Sequence, residues 1–585
     1  MARPTWAPFC LSHPRLTLSN DAAATHLDAS SPVPTSSGVV SVSFPKLSRP
    51  TGLTALTDKQ LAYAASGVLF LIAAWPLALV DVPPYQDLPN HLAAVTIIEH
   101  PERYPEFAFN GFLKTNAALF AWLFVVGKVT GVKAAAKLFA LLVLALNALT
   151  IPRFVLTLTG SRKRMLVATL FAWPMVHNWF VTMGMLDFAL GVPLSLILLL
   201  FLDRQRRKAS IANAVAIIAL GAVTWYAHVF PLLVVHLLVG IEILVQPTWK
   251  QRFARARAML IPLAPITLLV MVSLLQHLGD TVGPMTGFVD YKKLLPAWEL
   301  GYNMWAEWLW AYGNLEITTL VPCIGLAAIG LWWGRKDTAK TPFFSAWALL
   351  ALALLYCFLP YIVTNWFHVN SRIIPYIWFA FLLRVPTELP KKAVAALGVS
   401  AALYTVGLGV DYVRLERERE EFIAGIEAVP EGAQLLPLLF HHKGSSQNTR
   451  NLMHAWGYYV TERQTAAPLL FAHSRSFPVM YAVPPPTRFN HLVLEGFASS
   501  MATPKKMCGS MFDGNMVVDD CDGIFRSTWL QFYNEALPRY DHLLVWDPTP
   551  EGRAAIHPDY HLVFEKGRLS IYARKDVVSG TLSAR

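Results

Sequence analysis

Charge is scarce in this chain. Of its 585 residues only 15% are Asp, Glu, Lys or Arg, against 55% hydrophobic residues, and the mean hydropathy is +0.42. No soluble protein of this length needs so apolar a composition, which leaves a polytopic membrane protein. Cysteine is scarce too: five residues, with no CxxC pair, are too few for a disulfide scaffold. Cys323 and Cys357 lie in apolar runs and read as packing residues. No apolar run precedes Leu61, so the chain does not open like a secretory signal peptide. Residues 1–56, rich in Ser, Thr, Pro and Ala without a period that would bury a face, read as a disordered cytoplasmic tail, or else as a start codon assigned too early. The 49 Lys and Arg exceed the 38 Asp and Glu, yet no basic-aromatic module accompanies the excess, so nucleic acid is not an expected partner.

What is abundant is apolar sequence. Residues 57–410 form a membrane section whose first span, 61–80, is about 20 residues long, enough to cross the hydrocarbon. Further apolar runs at 116–130, 133–158, 165–181, 186–202, 211–227, 229–246, 258–277, 315–333, 343–363, 374–384 and 392–410 predict ten to twelve spans. Basic clusters at 162–164, 204–208, 250–257, 335–336 and 391–392 mark the cytoplasmic side. The loops 81–115, 278–314 and 364–373 and everything after 410 then fall outside. If 116–130 and 133–158 both crossed, the 162–164 cluster would land outside too, so one of the two is expected to be tilted, re-entrant or on the surface.

The outer loops carry polar residues that spans do not explain. In the first, 88–99 is compatible with a helix, with Asp87 placed like its N-cap, Pro89 in the first turn and His91 one turn on. Asp87 reads either as a cap or as a general base, and Asp81 as an interface marker. The second loop holds Lys292, Glu299 and a dense run of Trp and Tyr that suits a helix lying in the headgroup layer. The third places Arg372 at the start of a span, either snorkelling to headgroups or clamping a phosphate. Asp187 and His228 read as helix-end residues or ligands, and Lys114 as a further cation near the surface.

After 410 the composition turns soluble. Residues 411–421 alternate in charge and predict a solvated helical linker, and 411–585 predicts an outer α/β domain. Strands are expected at 434–440, 479–483, 491–494, 542–546 and 560–565, the last in a hairpin with 569–574. Cys508 and Cys521 could bridge in an oxidising compartment.

The layout resembles the GT-C glycosyltransferases, through Asp87-x-Pro-x-His91 after the first span, many spans and an outer C-terminal domain. It is also similar to a bacterial group with Pro89-Asn-His91-Leu-Ala, Asn116-Ala-Ala, the segment 184–191, and the tail segments His454-Ala-Trp-Gly-Tyr-Tyr459 and Tyr540-Asp-His-Leu-Leu-Val545. The resemblance implies an inner-membrane, GT-C-like helical fold that transfers a sugar from a polyprenyl-phosphate donor to a glycan, lipid or protein acceptor, with inversion. It carries over onto Asp87 alone, as base; with the residues read above, His91 stands beside it, Arg372, Lys114 and Lys292 are expected on the phosphate, and Glu299, Asp187 and His228 around the substrate. Leu88 stands where a second acidic residue often follows, so no cofactor is firmly implied and a divalent metal stays open. A transporter or flippase of lipid-linked saccharides, a glycan polymerase or ligase, and an assembly scaffold are the competing readings, though no internal repeat of the transporter kind is present.

Overall fold

A computed structural model describes residues 56–280, 292–333, 341–363, 366–472, 477–483, 485 and 534–576. The expectations for the N-terminal tail before Leu56, for a strand at 491–494 and for a Cys508–Cys521 bridge lie outside the described residues.

Helices α1 (Asp58–Ala74), α2 (Leu88–Glu99), α3 (Ala118–Thr130), α4 (Val132–Thr159), α5 (Arg162–Val176), the single turn α6 (Trp179–Thr182) and α7 (Leu186–Arg207) follow one another, with β1 (Phe107–Phe109) between α2 and α3. Then come α8 (Ile211–Ala227), α9 (Val229–Leu244), α10 (Trp249–Asp280), β2 (Lys292–Lys293), α11 (Ala297–Leu309), α12 (Asn314–Trp333), α13 (Ala346–Phe358), β3 (Ile362–Val363), α14 (Ile374–Leu382) and α15 (Lys391–Phe422). Their ends follow local chemistry. Thr57 and Gln60 close a capping box on α1, and Ser161, Ser210 and Ser345 each accept an amide at the start of α5, α8 and α13. Gly160 ends α4 in the left-handed region.

Six stretches, Asp58–Leu79, Val132–Thr159, Arg162–Thr182, Leu186–Arg207, Trp249–Leu275 and Lys391–Ala428, are long and apolar enough to cross a membrane by length and composition. Large apolar side chains stand exposed along them and their shorter neighbours, among them Leu71, Val129, Ile211, Leu268, Phe358 and Val406. Such a belt suits lipid rather than water. The chain is a multi-pass α-helical membrane protein. Helix α3, with 13 residues, rises only about 20 Å against a hydrocarbon core of about 30 Å, so it is the short member of the pair that the charge pattern could not accommodate.

The C-terminal region adds a four-stranded sheet in the order β4 (Leu435–Leu439), β6 (His542–Trp546), β8 (Leu569–Arg574), β7 (Tyr560–Lys566). The first pair is parallel and the others antiparallel, and the expected hairpin turns at Gly567 with φ +57°. The expected strand at 479–483 does not join this sheet. As β5 (Val479–Tyr481) it pairs antiparallel with β1, tying the tail to the first loop.

Two further expectations are corrected. Residues 411–421 are no solvated linker, because α15 runs unbroken through them and buries Asp411, Tyr412, Leu415, Glu416 and Arg419. The aromatic helix α11 is not exposed along its length as a helix resting on a surface would be. Trp298 is exposed, but Trp308, Trp310 and the following Tyr312 are buried, with Trp308 against Phe180 and Phe379. Cys323 is buried as a packing residue, whereas Cys357 is exposed.

The short helix α16 (Gly457–Arg463) crosses α2 at Gly457, where a Cβ would come within 2.2 Å of the Pro89 carbonyl oxygen. Backbone does not yield to that contact, so Gly457→Ala must push α16 off α2. The expected outcome is a lower Tm for the detergent-solubilised protein, measured against a Gly301→Ala control, where a Cβ would meet open space.

Candidate functional site

The start of α2 is built by backbone pairing. The amides of Gln86 and Asp87 donate to the carbonyls of Thr182 and Met183 at 3.0 Å each, which lays the loop against the turn after α6. Gly184 makes that approach feasible: its φ is +83°, and a Cβ there would sit 2.8 Å from the Asp87 amide nitrogen. Asp87 occupies the N-cap position, yet its side chain makes no capping bond, so the capping role expected of it is not used. The buried carboxylate instead takes a hydrogen bond from Gln86 Nε2 at 3.2 Å and faces His454 Nε2 at 3.3 Å, both on Oδ1. Gln86 is itself held by the Arg450 amide, which donates to its Oε1 at 2.8 Å.

His91, one turn on, lies edge-on to Phe120 at 5.0 Å. Burial pulls its pKa from 6.5 down to about 4; Asp87 and a bond to the Gly184 backbone oppose that shift, and His454 adds to it. The imidazole is therefore neutral near pH 7. Asp87 and His91 are brought together as expected, and His454, which sequence reasoning left inside a tail segment without a role, joins them. Nothing in its spacing from Asp87 could have found it.

The turn that touches Asp87 also leads to Arg372. Residues 183–188 run from the Met183 carbonyl to Phe188, whose ring lies 5.8 Å from the Arg372 guanidinium; Phe230 and Trp366 complete the surround at 5.9 and 5.5 Å. Arg372 is 7% exposed, which overturns the snorkelling alternative. Its Nε reaches no acceptor among the described residues, and no carboxylate pairs with it there. Aromatic faces stabilise a cation by only about 1–2 kcal/mol, well short of the cost of burying it, so an anion would complete the site. His228 stands edge-on to Phe188 at 5.5 Å and accepts the Phe230 amide through Nδ1 at 3.1 Å. Asp187 accepts the Leu119 amide at 2.8 Å, which anchors the start of α3.

Around Arg372 lies a network that sequence reasoning missed. Glu307, buried where α11 breaks its helical geometry, accepts from Tyr361 at 3.0 Å, from His368 Nδ1 at 3.2 Å and from Ser371. The Tyr361 hydroxyl meets His368 Nδ1 at 2.6 Å, and His368 holds φ +58°, a conformation that such a network sustains. Ser371 precedes Arg372 directly, so Glu307 anchors the turn that carries the guanidinium. The signal was composition alone: Glu307 and His368 are polar residues in the two loops that β2 and β3 pair. That pairing brings the backbone of Lys292 beside Val363, one bridge from Trp366. Glu299 is half-buried in the first turn of α11, and Lys114 half-buried before α3. Asp81 is exposed, and its carboxylate lies 3.5 Å from the Arg419 guanidinium. Among the described residues no three His, Cys, Asp or Glu side chains converge as a metal set requires.

No protein-family model matches the chain, and no curated protein matches it. Among solved structures it is similar to ArnT from Cupriavidus metallidurans in the apo state, at 13% identity and TM-score 0.48, covering 88% of this chain and 97% of that chain. The ArnT structure bound to undecaprenyl phosphate is similar at 12% identity and TM-score 0.42, with the same coverages. No family membership follows. Likeness this distant carries no argument about the site, whose case rests on its own geometry.

Two outcomes follow from that geometry. Glu307→Ala removes the acceptor shared by the buried Ser371 hydroxyl and the half-buried Tyr361 and His368, at a cost of about 2 kcal/mol, and should lower the Tm by a few degrees. Because His91 stays neutral in the folded protein down to about pH 4 while the unfolded chain protonates it near 6.5, the unfolded state binds more protons in that window. Stability should therefore fall on acidification from 6.5 to 4, by on the order of 3 kcal/mol from this group. His442, lowered to about 3 by burial and then by Arg450, His454 and His441, acts in the same direction. Tm measured against pH should show the drop, and His91→Gln should reduce it.

Proposed function

We propose that this chain is a GT-C type membrane glycosyltransferase that moves a sugar from a polyprenyl-phosphate donor to an envelope glycan, lipid or protein acceptor on the outer face of the inner membrane. The reading is carried by a buried, oriented carboxylate and a buried guanidinium lacking a described anion, in contact with the two ends of the segment 183–188. The acceptor hydroxyl attacks the anomeric carbon, its proton passes to Asp87, the new C–O bond forms and the bond to the polyprenyl phosphate breaks, inverting the centre. Arg372 stabilises the departing phosphate, whose charge needs no acid catalyst, and Lys114 and Lys292 are the further cations of the scheme. Neutral His91 orients the acceptor beside Asp87, and Glu299, Asp187 and His228 line the substrate region. A divalent metal is not required by this scheme.

The test is transfer from a panel of radiolabelled polyprenyl-phosphate hexoses and pentoses in membranes. Asp87→Asn should lower transfer by about 100-fold or more with normal insertion and Tm. Arg372→Ala should lower it by about 100-fold, with Arg372→Lys partly active because it keeps the charge but not the planar fork. Full activity of Asp87→Asn would remove Asp87 from the mechanism. No transfer by the wild type across the panel would favour a transporter or flippase, and products that grow by repeated units would favour a polymerase.

A further inference from the structure

We infer that His454, supplied by the chain beyond the last long helix, is the positioning residue of the Asp87 carboxylate. The inference rests on the reading of Asp87 as the base and adds that the C-terminal region is part of the catalytic centre.

The two oxygens of Asp87 are used unequally. Oδ1 takes both described contacts, Gln86 Nε2 at 3.2 Å and His454 Nε2 at 3.3 Å, whereas Oδ2 takes no hydrogen bond from the described residues. The Asp87 side chain keeps 13% of its surface open, and His454 only 1%. A substrate hydroxyl can therefore reach Asp87 and not His454. The imidazole acts through the carboxylate, holding Oδ1 so that Oδ2 is the oxygen presented.

The imidazole is itself fixed from α2. Its ring packs edge-on against Phe471 at 4.7 Å, and the Phe471 amide donates to Asn90 Oδ1 at 3.3 Å while Asn90 Nδ2 donates to the Leu469 carbonyl at 3.2 Å. Asn90 lies three residues after Asp87. The same helical turn thus carries the base and the handle that seats the wall behind its partner. The Asn451 amide group also donates to the Pro84 carbonyl, and the His454 carbonyl accepts from Gly457, which sits on Pro89 without room for a side chain. A contact meant only to dock two regions would not need both of its members walled in this way.

In the reaction no proton leaves His454. It supports the ionised carboxylate before attack, and the acceptor proton arrives on Oδ2 as the glycosidic bond forms. The charged and titratable groups facing the pair are His91 on α2 and, beside His454, His442 with Arg450 and His441 behind it. These surroundings place one carboxylate among several imidazoles, and removing His454 takes away one of the two described contacts that hold Oδ1.

The experiment compares His454→Ala, His454→Gln and Asp87→Asn in membranes, using whichever polyprenyl-phosphate sugar of the panel the wild type transfers, with kcat and KM followed against pH and Tm as the folding control. His454→Ala should lower kcat about 10- to 100-fold with little change in the donor KM, and should move the acidic limb of kcat/KM to higher pH. His454→Gln, which keeps an N–H donor, should recover part of kcat. The double variant with Asp87→Asn should be no slower than Asp87→Asn alone. If His454→Ala keeps wild-type kcat and acidic limb, or loses activity only in step with its folded fraction, the inference falls. If Asp87→Asn is fully active, the reading of Asp87 as base falls first; an inactive Asp87→Asn beside an active His454→Ala overturns this inference alone.

Discussion

Two backbone hydrogen bonds, from Gln86 to Thr182 and from Asp87 to Met183, hold the site together. They join a loop leaving the first long helix to a turn between two others, and they do so where a side chain on Gly184 would not fit. Once both amides of that loop are spent on carbonyls across the gap, the start of α2 has a single orientation. The Asp87 side chain need not cap its own helix and is released for other contacts. A carboxylate that makes no capping bond to its own helix is available for other contacts, which is what a base needs.

The second constraint is buried charge. Arg372 sits among three aromatic rings, and Glu307 is close by with three donors. The two are treated oppositely. Glu307 is satisfied within the protein and fixes a strained turn; Arg372 Nε has no acceptor among the described residues. Replacing the ring contacts by a phosphate would turn a burial cost into an attraction in a low-dielectric surround. The same arrangement disfavours any partner that brings no negative charge.

How much of this was legible depends on the kind of signal. The bounds of α2 follow from Asp87, Pro89 and the apolar run to Glu99, all local, and the hairpin follows from Lys566-Gly567-Arg568 between alternating residues. Local signals failed where tertiary contacts reassigned a residue. The charges of 411–421 look solvated in sequence, but Arg419 pairs with Glu416 and Glu421 with Arg568, so a polar stretch could be buried. The tryptophans of α11 look interfacial, yet the body of the protein covers Trp308 and Trp310. His454 was out of reach for a different reason. It lies 367 residues from Asp87, and no period or spacing connects two residues that only the docking of α16 on α2 brings within 3.3 Å.

That docking also explains why α15 has to be one rigid helix. Its 32 residues span about 48 Å, from the body to the sheet. Along the way Tyr412 meets His177 Nε2 at 2.7 Å and donates to the Tyr85 hydroxyl at 3.2 Å, so the rod is gripped beside the loop that carries Asp87. At its far end the sheet closes on it: Phe422 packs on Trp546 at 5.0 Å, and Arg568 clasps Glu421. A flexible linker of ten residues would let its ends vary by roughly 15–20 Å, far more than an ordered carboxylate–imidazole contact tolerates. The helix reduces that freedom to a small bend, and the hydrogen bonds from Asn90 and Asn451 remove what is left. The soluble region is thereby held as a fixed wall of the membrane site rather than as a tethered attachment.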